Sequence, residues 1–214
     1  MKKLQLKYFL QLSILGLSIF ITACSPNLPN NLFSNNQFDL IYSEKKEKDW
    51  VIPPTPYKKI PSEFLRKKVI NHTKEKPGTI VIDTNNHFLY YIENEQTAIR
   101  YGIGVGKAGF TWSGKGYVGM KKQWPTWTPT AAMVKRDPYL NGIMKTYPPG
   151  LNNPLGPRAI YIYNEKGDTL YRIHGSPEWW SIGKNVSSGC IRLLNQDIID
   201  LYDRVKKGAK IIVY

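Results

Sequence analysis

Only two of the 214 residues are cysteine and only three are histidine. No Cys-x-x-Cys or His-x-x-His pair occurs among them, which excludes a structural zinc site of the usual spacing. Two cysteines are also too few for the disulfide framework of a small secreted scaffold. Acidic residues are scarce, 16 against 30 Lys and Arg, giving a formal charge of +14. A chain so basic favours an anionic partner: nucleic acid, an acidic polymer or an anionic membrane surface. Long apolar runs are missing. The longest candidate, Tyr8 to Ile21, falls short of the ~20 residues of a spanning helix. Gly102-x-Gly104-x-Gly106 has no Gly-Lys-Ser/Thr and no helical pattern behind it, so it reads as a glycine-rich strand end rather than a phosphate loop. Internal repeats are absent. What remains, at 42% hydrophobic and 21% charged, supports one globular domain with extensions.

The N-terminus narrows the partner. Met1-Lys2-Lys3 and Lys7 form a positive start, the apolar run follows, and Ile21-Thr22-Ala23-Cys24 closes it. A charged start, a short apolar stretch and small residues describe an export signal over residues 1–23. The placement of Cys24 resembles a bacterial lipoprotein signal, which implies acylation of Cys24 and a lipid anchor in a membrane of the envelope, the outer membrane included. The alternatives are a plain signal peptide or an N-terminal anchor helix. An exported basic chain does not meet nucleic acid; its acidic partner is then the wall, with its free carboxylates, or anionic lipid. A Cys24–Cys190 disulfide conflicts with acylation of Cys24. Without that disulfide, Cys190 is an unpaired thiol in an oxidising compartment, a hazard that points to use.

Residues 24–76 are rich in Asn, Pro, Ser and Lys and read as an extended tether, with a short helix over Ser62–Ile70. From Pro77 the texture is mainly β. Thr79-Ile80-Val81-Ile82 and Phe88-Leu89-Tyr90-Tyr91-Ile92 flank turn residues, which predicts a hairpin. Ala98 to Val105 is a third strand and Tyr117 to Gln123 a weaker one. A second hairpin runs over 159–173 and ends at His174. Ile198, Leu201, Tyr202 and Val205 recur at helical spacing behind a capping Asn195, with Lys206 and Lys207 at the far end and Gly208 closing it. Residues 209–214 form a last strand. Residues 124–157 carry Trp124, Pro125, Trp127, Pro129, Tyr147 and Pro148 with no regular period. So long an irregular segment is usually functional, here a wall over a cleft in which Trp127 offers a flat contact.

The chemistry concentrates in His174-Gly175 and Ser187-Ser188-Gly189-Cys190-Ile191-Arg192-Leu193. A thiol must lose its proton to attack a carbonyl, and a histidine can take it and return it to a leaving amine. His174, at a strand end, is the partner for Cys190. The Gly175 carbonyl can accept the second imidazole N–H and fix the tautomer, the part an aspartate plays in hydrolase triads. Ser187, Ser188 and Gly189 form a small turn whose backbone N–H groups can face a developing oxyanion. Arg192 shares the Cys190 side of an extended strand, where it can hold a carboxylate or form a structural salt bridge. His72 and His87 show no ligand spacing, and no metal site is expected.

These motifs resemble the L,D-transpeptidase catalytic domain of bacterial cell walls. Pro77-Gly78-Thr79-Ile80-Val81-Ile82, Trp124-Pro125-x-Trp127-x-Pro129, Asn153-Pro154-Leu155-Gly156-x-Arg158-Ala159 and Asn195-Gln196-Asp197-Ile198 strengthen the likeness, which covers residues 77–214. Many members carry histidine where this chain has Ser188. The resemblance implies a β-sandwich or barrel-like fold with one or two packed helices. It also implies acyl transfer on peptidoglycan stem peptides through a Cys190 thioester, with no cofactor. Water in place of an amine acceptor would make a carboxypeptidase, and a protein lysine would anchor a lipoprotein. The competing classes are a non-catalytic wall-binding lipoprotein and a basic envelope protein acting through charge alone.

Overall fold

The computed structural model describes residues 35–47, 49–107, 112–136 and 146–214. The expected signal run, the Cys24 lipidation site and the first part of the tether lie outside them. Among the described residues no helix is long and apolar enough to cross a membrane.

The centre is a nine-stranded sheet. Strands β4 (Ile80–Asp83) and β5 (Phe88–Ile92) form the first expected hairpin. Its turn closes where the Asn86 backbone N–H and side-chain amide both donate to the Asp83 carboxylate. Next to β5 lies β6 (Thr97–Gly102), then β3 (Lys67–Ile70). On the other side β13 (Lys210–Val213) runs parallel to β4 and antiparallel to β8 (Gly114–Gln123). Then come β9 (Arg158–Asn164), β10 (Gly167–Ser176) and, parallel to β10, β12 (Ile191–Leu194). Short β7 (Val105–Gly106) pairs with β11 (Asn185–Ser187).

The sheet curls until its edge strand β12 meets the backbone just past β6. Gly104, just past β6, exchanges two backbone hydrogen bonds with Arg192 of β12, at 2.9 and 2.8 Å. A Cβ on Gly104 would sit 2.6 Å from the Ser181 carbonyl oxygen, and one on Gly102 2.3 Å from that of Phe64. The glycine run is therefore a place of close backbone approach. Closure gives the β-sandwich, barrel-like form and covers the β12 edge.

Period-two alternation sorts the two faces. Ile160, Ile162, Ile173, Ile191 and Leu193 point inward with Ile80, Leu89 and Ile211. Helix α3 (Asn195–Arg204) lays Ile198 and Leu201 onto the same core, with Val205 just beyond its end. Each such buried side chain contributes about 1.5–3 kcal/mol. Two details of this helix differ from expectation. Asn195 is its first residue and makes no cap hydrogen bond, and the helix ends before Lys206 and Lys207.

The segment expected as a tether is packed over its described part. Helix α1 (Asn35–Ile41) brings Phe38 into a cluster with Tyr42, Ile60, Leu65, Ile182 and Leu194. Gln196, fully buried on α3, donates to the carbonyls of Ser43 and Pro53 and accepts from Thr55. Asp197, also fully buried, meets Tyr42 and Arg66. The stretch expected as a helix over Ser62–Ile70 is a single 3-10 turn, Ser62–Phe64, followed by β3. Pairing with β6 outweighs its loose helical period. Strands β1 (Lys45–Glu47) and β2 (Trp50–Ile52) form a hairpin beside the 124–157 segment. That segment contains α2 (Ala131–Arg136) and a Trp127–Tyr147 bridge.

Candidate active site

His174 lies inside β10, two residues before its end. It stands in register with Ala159 of β9 and Arg192 of β12. Cys190 immediately precedes β12, so the same parallel register brings it beside Arg172. With Ile173, Ile191 and Leu193 turned into the core, Arg172, His174, Cys190 and Arg192 share the opposite face. Ala159 and Tyr161 occupy that face on β9, where Leu155, Trp127 and Met120 pack on them. Trp127 therefore lies on the same wall, one strand across from His174, with its ring 5.3 Å from that of Tyr147.

The hydrogen bond expected at Gly175 is present: its carbonyl oxygen is 2.6 Å from His174 Nδ1. This fixes Nδ1 as the protonated nitrogen of the neutral ring and leaves Nε2 to accept a proton. His174 is 4% exposed. Burial depresses its pKa to about 4, reinforced by the charges of Arg192 and Arg172, while the carbonyls of Gly175 and Pro154 favour the protonated ring. Cys190 is a free, partly exposed thiol. Protein crowding around the sulfur pushes its pKa up, and the Arg172 amide and the two arginine charges pull the other way. Both shifts favour the neutral form of each group at pH 7. Separate burial of each charge is the cause.

The turn before the thiol is built differently from expectation. Ser187 is buried, donates its hydroxyl to the Cys190 carbonyl at 2.6 Å, and accepts the Gly189 N–H at 3.1 Å. It shapes the turn rather than facing the cleft, and the Gly189 N–H is already engaged. Gly189 adopts φ +128°, a value other residues avoid. Ser188 is exposed at the mouth. Arg192 is paired with Glu178, the salt-bridge alternative.

Other residues here gave no role in the sequence. Asn153 is buried and donates to the carbonyls of Pro125 and Pro148, both at 2.9 Å, while accepting the Leu155 N–H. It locks the turn that sets the Pro154 carbonyl near His174. Its only signal was membership of the Asn153-to-Ala159 motif. His72, His87 and His174 do not converge, and the described residues contain no metal-binding cluster. His87 sits in the β5 turn region, bonded to Asn185. A groove of about 750 Å³ lies elsewhere, lined by Lys74, Lys76, Arg204, Lys206, Lys210 and Tyr91 among others.

The family model of the YkuD L,D-transpeptidase catalytic domain matches residues 77–213. The chain belongs to that family. Its YkuD domain resembles probable L,D-transpeptidase YbiS of Escherichia coli K12, 35% identical over 139 residues, 63% of this chain and 43% of that protein. Probable L,D-transpeptidase ErfK/SrfK of the same strain is 36% identical over 144 residues, 64% of this chain and 43% of that protein. The chain thus spans less than half the length of these relatives. A crystal structure of a probable carnitine operon oxidoreductase from Brucella melitensis has TM-score 0.50 and 45% identity, covering 71% of this chain and 94% of that one. Its named activity stays with that protein. The avibactam carbamoyl enzyme named Ldtfm has TM-score 0.50 at 22% identity, covering 65% of this chain and 49% of its own, a likeness of fold.

Proposed function

We propose that the chain is an L,D-transpeptidase of the bacterial cell wall, acting on peptidoglycan stem peptides. The observation that carries the reading is a free thiol at Cys190 beside β10, where His174 has its Nδ1 committed to the Gly175 carbonyl, within a YkuD domain. Cys190 attacks the carbonyl at the L-centre of diaminopimelate in a donor tetrapeptide as its proton passes to His174 Nε2. The thiolate and imidazolium form only in that step, where each stabilises the other. Collapse of the tetrahedral intermediate expels D-Ala, whose amine takes the proton from His174. The amine of an acceptor diaminopimelate then attacks the thioester, returns its proton through His174 to the thiol, and leaves a cross-link between two diaminopimelate residues. Water as acceptor yields a trimmed stem, and a protein lysine an attached lipoprotein. No cofactor enters these steps. Trp127 and the aromatic wall support a flat subsite for the stem, and Arg192 a carboxylate contact in exchange for Glu178. The signal-like residues 1–23 and Cys24 support a lipid-anchored envelope location facing the periplasm.

Defined tetrapeptide donors offered with amine acceptors test the reading, with products separated by mass. Cross-linked dimers from the native chain and none from Cys190→Ala are expected; equal yields from both would sink the mechanism. Meropenem, which resembles an acyl donor, should add covalently to Cys190 and to no other residue.

A wall-binding role through charge has its own support in the 750 Å³ groove, whose lining holds five cations and two carboxylates, Glu75 and Glu93, with Arg204 also paired to Asp200. It predicts retention on purified wall that falls steeply with salt and no adduct at Cys190.

A further inference from the structure

Glu47 lies well before the matched family domain, in the stretch whose sequence reads as a tether. Its carboxylate is nevertheless fastened to the wall of the site. Oε2 accepts from Arg158 Nη1 at 2.9 Å and from the Trp124 indole N–H at 2.8 Å, while Oε1 pairs with Arg158 Nη2. Arg158 is 6% exposed, and such a buried guanidinium needs its partner. Three residues after Glu47, Trp50 packs its ring 5.1 Å from that of Trp124.

Trp124 needs such a clamp. Its φ is +42°, in the left-handed region that a bulky residue enters only under strain. Its backbone N–H donates to the Pro157 carbonyl at 2.8 Å, and Arg158 Nη1 donates to the same oxygen at 2.9 Å. The turn from Asn153 to Gly156 stands immediately before Pro157. Gly156 lies hard against Gly175: a Cβ there would come within 2.8 Å of the Gly175 carbonyl carbon. That carbonyl holds His174 Nδ1. Ala159, beside Arg158, is the β9 residue in register with His174.

We propose that Glu47 is a positioning residue for His174: through Arg158 and Trp124 it fixes the Asn153–Gly156 turn against Gly175, so that the segment ahead of the family domain completes the active site. The proposal rests on reading His174 as the base. Glu47 touches no reacting atom in this scheme, and its effect passes through the orientation of the imidazole.

The experiment compares the native chain with Glu47→Gln and Glu47→Asp. Gln keeps an acceptor for the Trp124 indole but removes the charge that matches Arg158. Three quantities are read: kcat and KM on a tetrapeptide donor, the pH profile of kcat, and thermal stability. For Glu47→Gln, kcat falls at least tenfold with KM within twofold, and the acid limb of the pH profile moves. Glu47→Asp recovers part of kcat. An unchanged kcat and acid limb in folded Glu47→Gln overturns the proposal. So does a loss of kcat that follows thermal stability alone across both variants, since a purely structural role has that outcome. If Glu47→Gln does not fold, Trp50→Ala, which loosens the same clamp from the other side, carries the kcat and acid-limb criteria. Loss of activity in Cys190→Ala alongside normal Glu47→Gln would leave the proposed function standing while this inference fails. If the native chain does not cross-link, the pH profile of Cys190 alkylation replaces that of kcat.

Discussion

His174 of β10 and Arg192 of β12 stand opposite each other in parallel register, which brings Cys190, two residues before Arg192, to the strand that carries the imidazole. Neither thiol nor ring is ionised by this placement. Burial raises the one and lowers the other to about 4.

Cys190 should therefore react slowly with alkylating reagents. With its pKa above the ordinary value, its thiolate fraction at pH 7 lies below that of a free cysteine. Alkylation by iodoacetamide is expected to rise with pH beyond pH 9, with no plateau near neutrality. A plateau below pH 7 would mean a preformed ion pair. His174→Ala should lower turnover by about 10²–10⁴-fold, the usual share of a general base.

His174 also links stability to acid. Its folded pKa of about 4 lies below the ordinary 6.5, so its contribution is complete above pH 6.5 and is lost as pH falls through 4. A shift of that size corresponds to about 3 kcal/mol. His174→Gln should lose less stability than the native chain between pH 7 and 4 in urea titrations.

Asp197 has the opposite sign. Burial first, and Asp200 with it, raise its carboxyl to about 7 against Arg66 and Tyr42. That contribution is present below about pH 4 and fades as pH rises through 7. Asp197→Asn should melt above the native chain at pH 8, with the difference closing toward pH 5. A constant offset across that range would show that Asp197 is ionised throughout.

At Gly104 the barrel closes behind the thiol. Gly104→Ala places a methyl 2.6 Å from the Ser181 carbonyl, and overpacking against backbone costs about 1–3 kcal/mol. A fall in Tm of several degrees is expected, with slower acylation of Cys190 because Arg192 is bonded to this residue.

The Arg192–Glu178 pair can be released. If Arg192 receives a donor carboxylate, Glu178→Gln should lower KM severalfold and leave kcat near native. Salt bridging alone predicts an unchanged KM and a slightly lower Tm.

Much of this molecule is written locally. Alternation and turn residues place β4, β5, β9 and β10, and helical spacing places the body of α3, because side-chain period and turn chemistry act over a few residues. His174, Gly175 and Cys190 stand out for the same reason: a strand end, a bare glycine and a thiol after a small-residue turn carry their chemistry in adjacent positions.

What the chain order hides is who meets whom across it. Ser187 reads as a cleft residue until its hydroxyl is seen tied to Cys190. Asp197 reads only as one residue of the Asn195-to-Ile198 motif, yet lies fully buried against Tyr42, 155 positions away. The polar, proline-rich stretch ahead of residue 77 has no period of its own, and its order comes from partners such as Gln196 and Arg158. Glu47 reaches Arg158 across 111 positions, a contact between the separate β1–β2 hairpin and β9. The sequence by itself determined most strands after residue 77, the body of the helix and the candidate chemical pair. Only the tertiary structure decided the burial that shifts both members of that pair toward neutrality and the incorporation of the N-terminal segment, because burial and long-range ion pairing exist only once distant parts of the chain are packed together.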